Sequence, residues 1–345
     1  MSLTTFTPEE LKKLEEKSTL PRFIFFPAGA FGIAALAIKW PSDHWAWMTF
    51  WTFFTSYCLF CWTSCFHETA HQTLCASQRL SIWLGRFLGT MMWVPYTVYR
   101  ESHIRHHAYL NKPSDWELWP YSDPNTSLTF RRIFVWFDLI LGFVTSPYIY
   151  GRIYFHPRSP LRSKPDVMRT IRNEYLFMAV WWVVLVSSLC WFGVFGDFVR
   201  AWLIPHYVAG IWQSIRKFTE HLGMVSYDPM KGTRTVVGDS WITRLCTYLN
   251  FDIFVHGPHH RHPRVAHNEL RQKMQEYAVK HPEIEYPMFR TYFAAIRDML
   301  PYMIKDPGVG MNRGAPPPKS EKNTVENFVR DVTQEVLNDE DAVVV

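Results

Sequence analysis

Phe177 to Phe195 reads FMAVWWVVLVSSLCWFGVF, 19 residues without a charge. A helix needs about 20 apolar residues to cross a bilayer core, so this stretch predicts a membrane span. Working outward, Phe198–Ile215 is a second candidate, interrupted by Arg200, Pro205 and His206. Those polar groups must be buried against protein or reach back to the interface. Toward the N-terminus lie Ala46–Trp62 (AWMTFWTFFTSYCLFCW) and the shorter Phe23–Ile38. The four pair into two hairpins, turned at residues 39–43 (KWPSD) and at Gly196 and Asp197.

Charge orients the hairpins. The segment to Arg22 carries Lys12, Lys13, Lys17 and Arg22, and Gly151–Glu174 carries Arg152, Arg158, Arg162, Lys164, Arg169 and Arg172. The two tight turns carry Lys39 alone. Cytosolic loops collect Lys and Arg, so both open ends and both termini are expected in the cytosol. Ile82–Val98 contains Arg86 and Pro95, and Ile133–Tyr150 contains Asp138 and Pro147. A lone crossing by the latter would translocate the basic segment after it. Both are therefore read as helices lying in the interface, or dipping in and returning.

The expected fold is an all-α integral membrane helical bundle: four transmembrane helices in two hairpins, interfacial helices, and a cytosolic histidine-rich cap. Residues 1–21 form a cytosolic N-terminal helix, opened by the capping box Thr7-Pro8-Glu9-Glu10. Residues 22–300 form the membrane domain. Residues 301–345 form a Pro-rich linker (GAPPPKSEKN) and an acidic tail (DEDAVVV), with Val325, Phe328, Val329, Val332 and Val336 on one face of a short helix. The charged start lacks the features of a cleavable signal.

Composition narrows the function. With 17% aromatic and 19% charged residues over 345 positions, the chain is not a disordered one. Six Cys are too sparse for a disulfide scaffold; Cys58 and Cys61 lie inside an apolar helix and read as small core thiols. A net charge of +5 gives no case for a nucleic-acid partner.

The 15 His are distributed unevenly. His67 and His71 form H-x-x-x-H, in HETAH. His103, His106 and His107 form H-x-x-H-H, in HIRHH, and His256, His259 and His260 repeat it, in HGPHH. His221 stands alone about two turns past the fourth span. Residues i and i+4, or i and i+3, share a helix face, so each box aims two imidazoles at one point, the first at the second or the third. Chance would give H-x-x-H-H roughly 0.03 times in such a chain; it occurs twice. Imidazole suits Fe, Zn, Cu or Ni. Nine imidazoles exceed the needs of one ion, about four to six ligands, and suit two. His44, His156, His206, His262, His267 and His281 read as ordinary. HETAH alone also fits the H-E-x-x-H of a zinc metalloprotease with Glu68 as general base, but that reading leaves both H-x-x-H-H boxes unexplained. A non-enzymatic metal-binding membrane protein or a transporter would place its ligands at mid-bilayer, whereas these boxes follow the span ends.

From Phe23 to Pro263 the order of boxes and spans resembles the membrane fatty acid desaturase and hydroxylase superfamily. In HIRHHAYLNKPSD, Asn111 and Asp115 follow the histidines as in many members. The resemblance implies two nonheme irons, held by His67, His71, His103, His106, His107, His221, His256, His259 and His260 on the cytosolic side of a four-span bundle. Some members place an Asn four residues before the lone histidine; here that position is Lys217. Glu68, Glu101, Asn111, Asp115, Glu220, Asn250 and Asp252 are expected to orient the ligands, whose second N–H usually meets a carboxylate or carbonyl. The implied chemistry is O2-dependent oxidation of a lipid acyl chain, most simply desaturation. Hydroxylase, ketolase, acetylenase or fatty acid decarboxylase activity could use the same site. The substrate comes from the bilayer, through an apolar tunnel lined by residues such as Phe54, Trp181 and Trp182. Electrons come from a separate ferredoxin, or cytochrome b5 with its reductase, since neither a G-x-G-x-x-G fingerprint nor iron–sulfur Cys spacing is present. Arg79, Arg86, Arg100, Arg105, Arg131 and Arg132 offer a basic face to such a donor. The location is a bacterial inner membrane or the endoplasmic reticulum.

Overall fold

A computed structural model describes residues 6–39 and 44–318. Most of the expected turn at 39–43, and the acidic tail with its Val325–Val336 face, lie outside the described residues. The first helix, Pro8–Glu16, is capped as its sequence predicts: Thr7 Oγ1 accepts from Glu10 N (3.2 Å), and Glu10 Oε2 accepts from Thr7 N (2.6 Å). Glu10 also pairs with Arg264 at 2.6 Å, which fastens this helix beside the third histidine box.

Among the described residues, two stretches are long and apolar enough to cross a membrane, Pro8–Ile38 and Pro165–Trp191, at 31 and 27 residues. The first is bent by a π-helical turn at Ile24–Ala28, around Pro27. Only Ile171 and Met178 of Pro165–Trp191 are buried, and Val180, Val183 and Val184 are each more than half exposed, a face suited to lipid. Leu128–Ile140 and Gly142–Phe155 make a third span if taken together, but they are bent by 119°. Such a bend fits the expected dip and return of Ile133–Tyr150.

The other two expected spans take different forms. Trp45–His71 is one helix of 27 residues that runs from the apolar segment straight into the first histidine box. Its polar content keeps it short of the apolarity of a simple span. Thr55, Ser56 and Thr63 return their hydroxyls to the carbonyls of Trp51, Thr52 and Phe60 at 2.6–2.7 Å. The fourth segment is divided into Phe195–Phe198, a π-helical turn Val199–Leu203, and the helix Ile204–His221. Ile82–Val98 is likewise two elements, since Gln78–Met91 ends before Tyr96–Ala108 begins.

Aromatic packing joins the first hairpin to the π-helical turn of the fourth segment: Phe31 lies 5.3 Å from Trp62 and 5.6 Å from Trp202, ring centre to ring centre. Gly142–Phe155 crosses Ile204–His221 at close range. A Cβ on Gly142 would stand 2.3 Å from Ser214 Oγ and 2.4 Å from Gly210 O, so only glycine fits.

The chain is not purely helical. Thr235–Val236 pairs in parallel with Met288–Phe289, a two-residue ladder that local sequence could not announce. The expected boundary at 301 also falls inside an element, because Tyr292–Lys305 continues through Pro301. Beyond it, Val309 N donates to Tyr121 O and Gly310 N to Met224 O. The chain therefore stays packed on the body through Arg313.

Candidate metal centre

Nine histidines from four elements meet in one buried volume. His67 and His71 end the Trp45–His71 helix, and His103, His106 and His107 end Tyr96–Ala108. His221 ends Ile204–His221, and the short helix His256–Arg261 carries the last three. All nine are buried. Their nitrogens fall into two groups, each within 4.8 Å: His67, His71, His103, His107 and His259 in one, and His106, His221 and His260 in the other, with His256 joined to His221 and Glu220.

The division follows helical geometry. In each H-x-x-H-H box the first and last histidines are i and i+4 and stay together, while the i+3 histidine turns to the other group. His103 and His107 thus serve the five-histidine group and His106 the four-histidine group. The third box does the reverse, giving His256 and His260 to the four and His259 to the five. Each box contributes to both groups and couples them.

The surroundings fix ring orientation. His106 Nδ1 lies 2.8 Å from Asp115 Oδ2, and His103 Nδ1 lies 3.2 Å from both oxygens of Glu117, so the Nε2 atoms point inward. His103 Nε2 is 3.1 Å from His107 Nε2, and His256 Nε2 is 2.9 Å from His221 Nε2. Among the described residues, both ring nitrogens of His67 and His259, Nε2 of His71, and Nδ1 of His221 and His260 have no hydrogen-bond partner. Polar atoms buried in this way are costly. One nitrogen from each ring lies within 4.8 Å of its group's others, which is what cations would resolve, and neutral imidazole is a good donor to iron.

Electrostatics agree with neutral ligands. Burial, reinforced by neighbouring imidazoles, pushes His67, His71, His107, His221, His259 and His260 well below the ordinary histidine range. His106 is the exception: burial alone would lower it, but Asp115, with Glu117 and Glu220 beyond, raises it to about 9. Burial also raises the Glu220 carboxyl to about 8, against the pull of Arg216 and His106.

The residues expected to support the ligands divide. Asp115 holds His106, and Glu220 lies 3.7 Å from His256. Glu68 pairs at 2.6 Å with His267, whose ring is 4.9 Å from that of His259 and 5.9 Å from that of His67. The other four act elsewhere. Glu101 pairs with Arg100 and Lys164, and Asp252 with Arg22. Asn250 bridges Ser64 and Tyr57. Asn111 donates to Ser226 O and Gly232 O, tying the second box to the loop after His221. Sequence spacing brought these residues close to the boxes but not onto them.

Two residues of the site carried no sequence signal. His267, read as ordinary, is fully buried against Glu68 and Phe251 O. Glu117 stands alone in the loop after the second box, yet it holds His103. The loop at Phe251 and Asp252 is strained, with φ values of 57° and 59°. Arg234, buried in a loop, donates to Thr219 O and Leu222 O and pairs with Asp298, which satisfies carbonyls at the end of the His221 helix. Glu68 is not placed as a protease base, because it is committed to His267.

Two cavities adjoin the histidines. The inner one is lined by His67, His103, His106, His221 and His256, with Arg216 and Lys217 on its wall. The outer one runs along Trp62, Phe66, Met92, Val94, Trp202 and His206. Tyr99, Ser146, Tyr150 and Gln213 line both, so the two cavities adjoin. Of the residues expected on a tunnel, Phe54 packs on Phe26 and Phe50 and Trp182 donates to Thr90 O, while Trp181 lines a third cavity of about 520 Å³, apart from the histidines, with Trp83, Phe87 and Met178. The expected basic face is also smaller than read. Arg100 and Arg131 are buried, and Arg86 pairs with Glu174 at 3.1 Å.

The chain is similar in sequence to known proteins. The chain is 26% identical over 233 residues to an omega-6 fatty acid desaturase, chloroplastic, of Brassica napus, covering 61% of this chain and 50% of that protein. It is 24% identical over 259 residues to an sn-1 acyl-lipid omega-3 desaturase (ferredoxin) of Synechocystis, covering 66% and 68%. It is also 24% identical over 235 residues to the sn-1 oleoyl-lipid 12-desaturase of Synechocystis, covering 60% and 63%. The chain spans about half the length of the plant relative. The family model described as fatty acid desaturase matches residues 44–292, and all nine clustered histidines fall inside that match. The chain belongs to the fatty acid desaturase family.

Proposed function

We propose that the protein is an integral membrane oxidoreductase that holds two irons and uses O2 to desaturate a lipid acyl chain. The single observation that carries this is the five-and-four grouping of nine buried imidazoles with their nitrogens turned inward. His67, His71, His103, His107 and His259 would hold one iron, and His106, His221, His256 and His260 the other, with Glu220 beside the second. Iron at these positions supplies, with O2 and electrons, the oxidising power to take hydrogen from an unactivated C–H, which no side-chain acid or base can do.

The protein's own residues do the remaining work. Asp115 and Glu117 keep the His106 and His103 imidazoles turned inward. The Glu68–His267 pair braces the wall behind His67 and His259. The two adjoining cavities would lead an acyl chain from the apolar interior to the histidines. Tyr99 and Tyr150 sit at the junction, where the chain turns toward the reacting carbon. Electrons come from a separate ferredoxin, or from cytochrome b5 with its reductase. The histidine face and both chain ends lie on the cytosolic side of a four-span bundle, in a bacterial inner membrane or the endoplasmic reticulum.

Expression in a host membrane with a matched donor, followed by mass spectrometry of extracted lipids and volatiles, tests the reading. A new double bond is expected, and its loss in His106→Ala and His259→Ala. An alcohol, alkyne or terminal alkene would keep the site and replace the reaction. Products unchanged by either substitution would contradict the site itself.

A further inference from the structure

The outer cavity holds a feature that desaturation of a plain hydrocarbon chain does not need. Its walls are mostly apolar, with about 80 Å³ of free space, yet His206 is among the residues that line it. His206 is 8% exposed, and its Nδ1 has no hydrogen-bond partner among the described residues. It is surrounded by rings instead: Trp93 and Trp202 at 5.6 Å and Phe143 at 6.3 Å, centre to centre. A buried donor or acceptor left in this way is penalised, and leucine would fill the space without that penalty. The wall beside it is built at a cost as well. Trp93 sits at φ 63°, a region a bulky side chain seldom occupies.

Position adds meaning. His206, Gln213, Lys217 and His221 fall at intervals of seven, four and four on one helix, and hence on one face. His206 and Gln213 line the outer cavity; Gln213, Lys217 and His221 line the inner one. From His221 to His206 the helix rises about 22 Å. The imidazole therefore stands at the end of the channel remote from the histidine groups, where it would meet a distant part of a bound chain and not the reacting carbon.

We propose that His206 is a specificity residue: it offers a hydrogen bond in the far part of the chamber, so that the protein prefers an acyl chain bearing a hydroxyl or keto oxygen there over the unsubstituted chain. This deepens the proposed function and rests on its reading of the two cavities as the substrate channel. His206 acts by selecting the chain and is not a catalytic residue. A keto oxygen would accept from the ring, and a hydroxyl could donate to it or accept from it.

The test uses the iron-loaded full chain in lipid nanodiscs, with octadecanoic acid and a set of its monohydroxy isomers as competing probes. Wild-type protein is expected to bind one or two neighbouring isomers about five- to tenfold more tightly than octadecanoic acid, the worth of one net hydrogen bond. In His206→Leu that preference should vanish or reverse, while affinity for octadecanoic acid holds or rises. His206→Gln should restore part of it. The melting temperature of His206→Leu is expected to be equal or higher, since an unpaired polar group is removed. An equal preference in wild type and His206→Leu, as an ordered water on the ring would give, overturns the proposal and leaves the proposed function standing. Failure of the iron-loaded protein to bind any of these acids overturns both.

Discussion

The two histidine groups use one ligand type in two different settings. The five-histidine group is rich in imidazole, with Glu117 on His103 and Glu68 one step away behind His267. The four-histidine group has one imidazole fewer and acidic groups at hand, with Asp115 on His106 and Glu220 within 3.7 Å of His256. Three of its members, His106, His221 and His256, face the inner cavity, as do two of the five, His67 and His103. Five imidazoles would make the first group the tighter holder of an ion. Fewer imidazoles, with Glu220 close by, would leave the second more room for a further ligand. Similar ligands thus stand in two different surroundings.

The largest effect should come from breaking one group at a time. His71→Ala and His260→Ala should each abolish product formation, because neither ion alone completes the chemistry. Iron per chain, by metal analysis, should fall from about two to about one in each. Equal loss of all iron in both variants would mean that the groups are one site. The supporting carboxylates should give the next largest effect and separate the groups. Asp115→Asn should weaken iron about 10- to 100-fold at the four-histidine group alone, and Glu68→Gln should weaken it at the five-histidine group, both read by chelator competition.

Acid should separate them too. In metal-free protein, the imidazoles held below their ordinary range stay neutral while the unfolded chain takes up protons below about pH 6.5. Melting temperature is therefore expected to fall as pH drops through that region. His106 runs the other way: its pKa is raised to about 9, so its contribution is full below about 6.5 and fades as pH rises through 9. His106→Gln should flatten the alkaline limb and leave the acid limb in place. The smallest effect is expected from Tyr150→Phe. It removes the 3.0 Å bond to Glu117 Oε1, which in turn holds His103, at a cost of about 1 kcal/mol by denaturant titration.

What the sequence disclosed follows from what is local. The boxes were legible because helical spacing alone puts their imidazoles on shared faces, and so was the Thr7 cap. The exchange of His106 and His259 between groups was not legible, since it depends on how the two box-bearing helices cross. His267 and Glu117 stand alone in loops, with no periodicity to mark them, and only the folded chain brings them to the centre. The spans were read by apolar run length. That served Phe177–Phe195 well, and it served less well where hydroxyls bonded to their own helix, or where π-helical turns divide a segment. Asp252 and Glu101 were credited by nearness along the chain, and each proved to be committed to a basic partner.

The central claim is two irons, one per group. Anomalous diffraction at the iron edge from the purified, iron-loaded protein tests it most directly. The account predicts two peaks, one among His67, His71, His103, His107 and His259, and one among His106, His221, His256 and His260. A single peak, or a zinc signal at HETAH with the third box empty, would contradict it.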